Sequence, residues 1–312
     1  MMRAFVFPGQ GAQTIGMGKT LAEAYPQSRR VFEEVDEALG EKLSELIWEG
    51  EQDALTLTRN AQPALMATSM AAMAALDAEG VGVRAAAFVA GHSLGEYSAL
   101  CAAGALRLAD TARLLRIRGE AMQSAVPVGE GAMAAILGLD LEAMLDVVRE
   151  AAAGEVVQAA NDNDPAQVVI SGRKDAVARA VEIAQAAGAK RAVMLPVSAP
   201  FHCEMMAPAA RVMAEALDDV DIAPPVVPVV CNVRACGESE PADIRSLLVE
   251  QVTGMVRWRE SVAWMAAQGV TETWEIGAGK ALSGMIRRIE RSIATRQVGT
   301  PEEVAAAVDG MK

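Results

Sequence analysis

The chain has 312 residues, 52% of them apolar and 22% charged, with a mean hydropathy of +0.21, so burial can offset chain entropy and a disordered polymer is excluded. A net charge of −13 opposes general attraction to nucleic acid or anionic lipid, so neither is an expected partner. Cys101, Cys203, Cys231 and Cys236 form no CxxC pair, no apolar run reaches about 18 residues, and no export signal opens the chain, so we expect reduced thiols, no zinc site, no membrane span and a cytoplasmic location.

The run 2–7 is short, apolar and β-prone, and Pro8-Gly9 stops it, so it reads as a buried strand entering a loop. Alanine- and leucine-rich segments over 19–80 read as helices, with Pro26 and Pro63 where helices start or stop. A second buried strand at 86–90 leads into Gly91-His92-Ser93-Leu94-Gly95 and a helix at 96–103. Strand, sharp turn and helix in that order mark a parallel α/β architecture.

Over 128–197 the texture changes to strand 132–137, helix 141–152, strands 156–160 and 167–171, helix 176–187 and strand 191–195. That βαββαβ order is the ferredoxin-like unit. Beyond it come a helix at 204–217, a strand at 227–231, helices at 242–252 and 258–267, and a strand at 270–276. A helix at 280–289, a short strand and a terminal helix close the chain. The expected fold class is therefore α/β, with a large α/β-hydrolase-like domain carrying a parallel sheet and a nucleophile elbow, discontinuous over 1–127 and 198–312. A ferredoxin-like small subdomain over 128–197 is inserted into it.

Gly91-His92-Ser93-Leu94-Gly95 fits the G-x-S-x-G elbow, where small residues let the backbone turn sharply and expose a serine hydroxyl at a helix N-terminus. The bare pattern equally fits a strand-to-helix turn capped by Ser93, and the buried strand before it favours chemistry. A serine needs a base, and the chain has two histidines. His92 adjoins the serine and in a tight elbow points away from its hydroxyl. His202, in Ala199-Pro200-Phe201-His202-Cys203, is left as the base. No aspartate or glutamate stands out as its orienting partner, and a backbone or amide carbonyl serves as well. Arg113, Arg116 and Arg118 share one helix-like run, and spacing does not choose among them. Two nucleotide motifs are excluded: Gly18-Lys19-Thr20 lacks the upstream glycine of a phosphate loop, where Gln13 stands, and Gly9-Gln10-Gly11 has Thr14 at the third glycine of a dinucleotide fingerprint.

Further segments join the elbow and the histidine loop: Phe7-Pro8-Gly9-Gln10-Gly11-Ala12-Gln13, Arg118-Gly119-Glu120-Ala121-Met122, Asn161-Asp162-Asn163 and Glu275-Ile276-Gly277-Ala278-Gly279-Lys280. With them the chain resembles, along nearly its whole length, the malonyl-CoA:acyl carrier protein transacylases, acyltransferases of type II fatty acid synthesis. The resemblance implies that Ser93 attacks a thioester, that His202 relays its proton, and that the main-chain N–H groups of Gln10 and Leu94 form an oxyanion hole. It implies further that the Gln251 main-chain carbonyl orients His202, that Arg118 holds the malonyl carboxylate, and that Asn161 and Phe201 meet the substrate. Phe201 before the histidine and Leu94 after the serine favour malonyl over methylmalonyl. Malonyl-CoA and acyl carrier protein are then the expected partners, with no metal or organic cofactor and a monomeric enzyme. Alternative readings are a serine esterase or thioesterase, for which a buried cation has no use, and a non-catalytic acyl-CoA or carrier-protein binding module. Lys190, Arg191, Arg287, Arg288 and Arg291 are candidates for a basic carrier-docking patch, or are solvated surface charges.

Overall fold

The computed structural model describes residues 2–197 and 199–311, so the expected boundary residue 198 and the terminal residues 1 and 312 lie outside the described residues. The first strand, β1 (Met2–Phe7), shows why a parallel sheet forms. Its side chains alternate between two faces, and both are covered. Phe5 and Phe7 enter a core with Phe32, Leu65 and Leu114, while Ala4 and Val6 enter another with Trp258, Val262 and Ile286. A strand buried on both faces reads as a continuous apolar run, and so the sequence pattern was clear here.

The remaining strands are β2 (Phe88–Gly91), β3 (Gly131–Leu137), β4 (Val157–Asp164), β5 (Gln167–Arg173), β6 (Arg191–Met194), β7 (Val229–Cys231), β8 (Cys236–Glu238), β9 (Val270–Ile276) and β10 (Ala294–Val298). Six of them form a sheet in the order β10-β9-β1-β2-β7-β8. All pairings in it are parallel except β7 with β8. The helices Pro26–Leu39, Thr58–Ala78, Leu108–Ser124 and Ala207–Asp218 bury their apolar residues with Phe5 and Phe7, whereas Trp258–Ala267 and Ala281–Ile289 cover the opposite face. In the register of β1 and β2, Phe7 faces Gly91, so the loops leaving both strands emerge side by side at the carboxyl edge of the sheet.

The other four strands form an antiparallel sheet in the order β4-β5-β3-β6. The helices Leu141–Ala152 and Lys174–Ala186 pack on one of its faces, sharing a separate core of Ala134, Ile136, Val168, Ile170, Met144 and Val177. Met133, Ala135 and Val169 point the other way, into the main core.

Three details depart from the sequence expectations. Pro63 lies inside the helix Thr58–Ala78 and not at a boundary. Proline costs a helix interior about 3 kcal/mol, and burial of nearly the whole helix outweighs it. Second, β4 runs on past residue 160 to Asp164, because its polar end finds partners far away in the chain. Asp162 is fully buried against Arg259 at 2.8 Å, and Asp164 pairs with Arg288 at 2.7 Å. Third, β8 was not anticipated, being three residues without an apolar signal. Among the described residues no helix is long and apolar enough to cross a membrane.

Candidate active site

The elbow between β2 and the helix Gly95–Ala102 puts Ser93 at a φ of 54°, in the left-handed region that non-glycine residues avoid. The flanking glycines supply space and not positive φ. A Cβ on Gly91 would lie 1.9 Å from the Gly95 carbonyl, and one on Gly95 would lie 2.3 Å from the Phe7 carbonyl oxygen. The tight turn thus needs both glycines, and it leaves the strain on the serine. Hydrogen bonds hold it there: the Ser93 N–H donates to Asn232 Oδ1 at 2.8 Å, and Gln251 Nε2 donates to the Ser93 carbonyl at 3.0 Å.

His202 reaches the serine from 109 residues away, with its Nε2 2.8 Å from Ser93 Oγ. It too has a positive φ, 58°. Its Nδ1 lies 2.9 Å from the Gln251 carbonyl oxygen and 3.1 Å from that of Gly254. Carbonyls only accept, so Nδ1 carries the ring proton and Nε2 is a bare acceptor turned to the serine hydroxyl. Burial, with the Arg118 guanidinium nearby, pushes the imidazole down to about 3, which keeps it neutral at physiological pH. Gly254 was not anticipated; a second carbonyl partner leaves no sequence signal. His92 turns away, its Nε2 2.8 Å from Asn163 Oδ1.

The structure separates the three arginines of the helix Leu108–Ser124. Arg113 bonds Asp110, Arg116 pairs with Glu41 and Asn60, and only Arg118 enters the site. Arg118 is 1% exposed. Its Nη1 donates to Gln62 Oε1 at 2.7 Å, and its Nη2 donates to Gln251 Oε1 at 2.9 Å and to Ser93 Oγ at 3.2 Å. Neutral oxygens surround it, and burial pushes its pKa down against the pull of Tyr97 and Glu96. A buried guanidinium served by neutral groups suits an anionic ligand, since an uncompensated buried charge costs several kcal/mol.

These groups open on one cavity of about 260 Å³, lined by Gln10, Ser93, Leu94, Arg118, Asn161, Phe201 and His202. Gln251 stands behind it and acts through its contacts. Among the described residues the main-chain N–H groups of Gln10 and Leu94 make no hydrogen bond, which leaves two donors beside the serine. Gln10 itself is anchored through Oε1, which accepts from Thr58 Oγ1 at 2.9 Å. Asn232, Gln62 and Asn163 also take part in the site, and each joins it through contacts of 56 residues or more in sequence separation. Among the described residues no group of three or more His, Cys, Asp or Glu side chains could hold a metal ion.

Over residues 4–269 the chain matches the family model of the acyl transferase domain. It is 50% identical over 310 residues to the malonyl CoA-acyl carrier protein transacylase of Bacillus subtilis (strain 168), covering 99% of this chain and 97% of that one. Its fold superposes with a TM-score of 0.98 and 56% identity on an acyl-carrier-protein-S-malonyltransferase from Bartonella henselae, covering 100% of this chain and 99% of that one. It is also similar, at a TM-score of 0.96 and 42% identity over 99% of this chain and 100% of the other, to a malonyl-transacylase solved in complex with its type II PKS acyl-carrier protein. With matches of this extent and identity, the chain belongs to the acyl transferase domain family, the family of the malonyl-CoA:acyl carrier protein transacylases.

Proposed function

We propose that this chain transfers the malonyl group of malonyl-CoA to the phosphopantetheine thiol of acyl carrier protein through a malonyl-serine intermediate, supplying fatty acid synthesis. The observation that carries this reading is the Arg118 guanidinium, buried among neutral partners, with Nη2 3.2 Å from the same serine oxygen that His202 Nε2 meets at 2.8 Å. Nucleophile, base and anion receptor converge within one short acyl group's length. Ser93 Oγ attacks the thioester carbonyl while His202 Nε2 takes the hydroxyl proton. The Gln10 and Leu94 N–H groups receive the oxyanion, and the Gln251 carbonyl steadies the imidazolium. Collapse breaks the C–S bond, and His202 hands its proton to the departing CoA thiolate. The carrier's thiol then gives its proton to His202, attacks the malonyl-serine, and Ser93 regains its proton. No metal or organic cofactor enters these steps.

Phe201 lines the acyl cavity and would crowd an α-methyl branch, a discrimination of about 1–3 kcal/mol. Asn161 is assigned a contact to the bound acyl-CoA. We further read residues 1–127 with 198–312 as one hydrolase-like domain and 128–197 as an inserted ferredoxin-like subdomain; the separate antiparallel sheet with its own core supports this. A cytoplasmic monomer completes the proposal. Initial rates with malonyl-CoA and the holo carrier test it: parallel double-reciprocal lines with malonyl-carrier as product are expected. Release of free malonate regardless of the carrier would instead favour a thioesterase.

A further inference from the structure

Beneath the elbow lies a carboxyl group that touches neither reacting side chain. Glu96 stands in the first turn of the helix Gly95–Ala102 and is 1% exposed. An acid in that position commonly serves its own helix's N-terminus. Here it reaches elsewhere: Oε2 accepts from the Asn232 main-chain N–H at 3.0 Å and from Gln251 Nε2 at 2.7 Å, partners 136 and 155 residues away.

Both partners grip the elbow. Asn232 Oδ1 accepts the Ser93 N–H at 2.8 Å and Asn232 Nδ2 donates to the Gly91 carbonyl at 2.6 Å, while Gln251 Nε2 also donates to the Ser93 carbonyl at 3.0 Å. The two peptide groups flanking the strained serine are therefore tied to a single carboxyl oxygen. Through Gln251 the tie extends further, since its side-chain oxygen accepts from Arg118 at 2.9 Å and its main-chain oxygen from His202 Nδ1 at 2.9 Å.

We infer that Glu96 is a positioning residue, whose Oε2 fixes Gln251 and Asn232 and through them sets Ser93 and His202 in mutual register. The inference rests on the transferase reading above. Two donors converging on one oxygen require an acceptor at a defined reach, whatever its charge. Burial pushes the carboxyl up to about 7, so the neutral form persists toward neutrality and a carboxamide is a fair mimic of it. The neighbouring titratable groups are Arg118 on the helix Leu108–Ser124, Cys231 on β7 and Tyr97 on its own helix.

Reach and charge are separated by Glu96→Gln, which keeps the reach, and Glu96→Asp, which keeps the charge but draws the oxygen back by about one C–C bond, 1.5 Å. In the full chain, with malonyl-CoA and the holo carrier, Glu96→Gln is expected to retain kcat. Glu96→Asp is expected to lower it about a hundred-fold with KM for malonyl-CoA unchanged, as a misplacement near 1 Å does. An unchanged kcat in Glu96→Asp, a loss carried by KM alone, or an equal loss in Glu96→Gln would overturn the inference. If Glu96→Asp does not fold, Glu96→Met, which fills the same space without an oxygen acceptor, gives the same test: kcat must fall at constant KM, and an unchanged kcat overturns the inference. Wild type run alongside separates the two levels, because absence of a malonyl-serine there defeats the transferase reading itself.

Discussion

At the scale of single residues, the proposed base and the proposed anion receptor make opposite demands on one small volume. In the proposed mechanism His202 must be neutral to accept a proton, and burial, together with the Arg118 cation beside it, pushes its pKa down to about 3. A depressed histidine pKa extends the active, neutral form toward acid. Acylation of Ser93, followed by rapid quench, should therefore change less than about twofold between pH 7 and 5, whereas a histidine with an ordinary pKa near 6.5 would lose about twenty-five-fold. Arg118→Ala removes charge-assisted bonds of about 3 kcal/mol to the acyl carboxylate, so acylation by malonyl-CoA should drop about a hundred-fold more than acylation by acetyl-CoA, measured as the ratio of the two kcat/KM values. Ser93 and His202 were legible in the sequence because the elbow is a local pattern and spare histidines were scarce. Arg118 was not distinguishable by spacing from Arg113 and Arg116, since which face of the helix Leu108–Ser124 meets the site is settled only by packing.

At the scale of elements, the elbow and the end of β4 carry the tightest constraints. Gly95→Ala would drive a methyl to 2.3 Å from the Phe7 carbonyl oxygen, where backbone must move. Overpacking of this kind costs about 3 kcal/mol, to be read from the urea midpoint, and the serine should lose its reactivity with it. The end of β4 is docked by ion pairs as well as by backbone bonds to Val256. Arg259→Ala leaves Asp162 buried without its cation, which typically costs about 3–5 kcal/mol. Burial already raises the Asp162 pKa against the pull of Arg259, and losing the arginine raises it further. A raised folded-state pKa gives stability that is present below the unfolded value and lost as pH rises. The variant should therefore be closest to wild type in acid and furthest from it at neutral pH, in melts across that range. The sequence could not reveal this end of β4, because Asn161-Asp162-Asn163-Asp164 reads as loop until its partners Val256, Arg259, His92 and Arg288 are brought in. Strands β1 and β2 were readable for the opposite reason: their burial is written in their own composition.

At the scale of the whole molecule, two sheets meet across the candidate-site cavity, β1 and β2 offering the Gln10 loop and Ser93 while β3 and β4 contribute Met133 and Asn161 to its lining. The succession of elements along the chain, β8 apart, followed from apolar periodicity, whereas the way the sheets face each other rests on long-range contacts, apolar at Met133, Ala135 and Val169 and polar at the end of β4, that no local pattern records. A net charge of −13 repels an acidic carrier at long range, so its docking needs local cations. Arg288 is committed to Asp164, which leaves Arg287 on the helix Ala281–Ile289 and Arg291 just beyond it as the cleaner probes of that basic face. Their double replacement by glutamate should raise the KM for the carrier and leave the malonyl-CoA half-reaction unchanged; an unaltered KM would remove that face from consideration. The measurement that bears most directly on the whole account is the intact mass of the protein after mixing with malonyl-CoA, for wild type and Ser93→Ala, before and after addition of holo acyl carrier protein. The account predicts a malonyl adduct on wild type alone that moves quantitatively to the carrier. An adduct on Ser93→Ala, no adduct on wild type, or one lost to water while the carrier stays unmodified would contradict it.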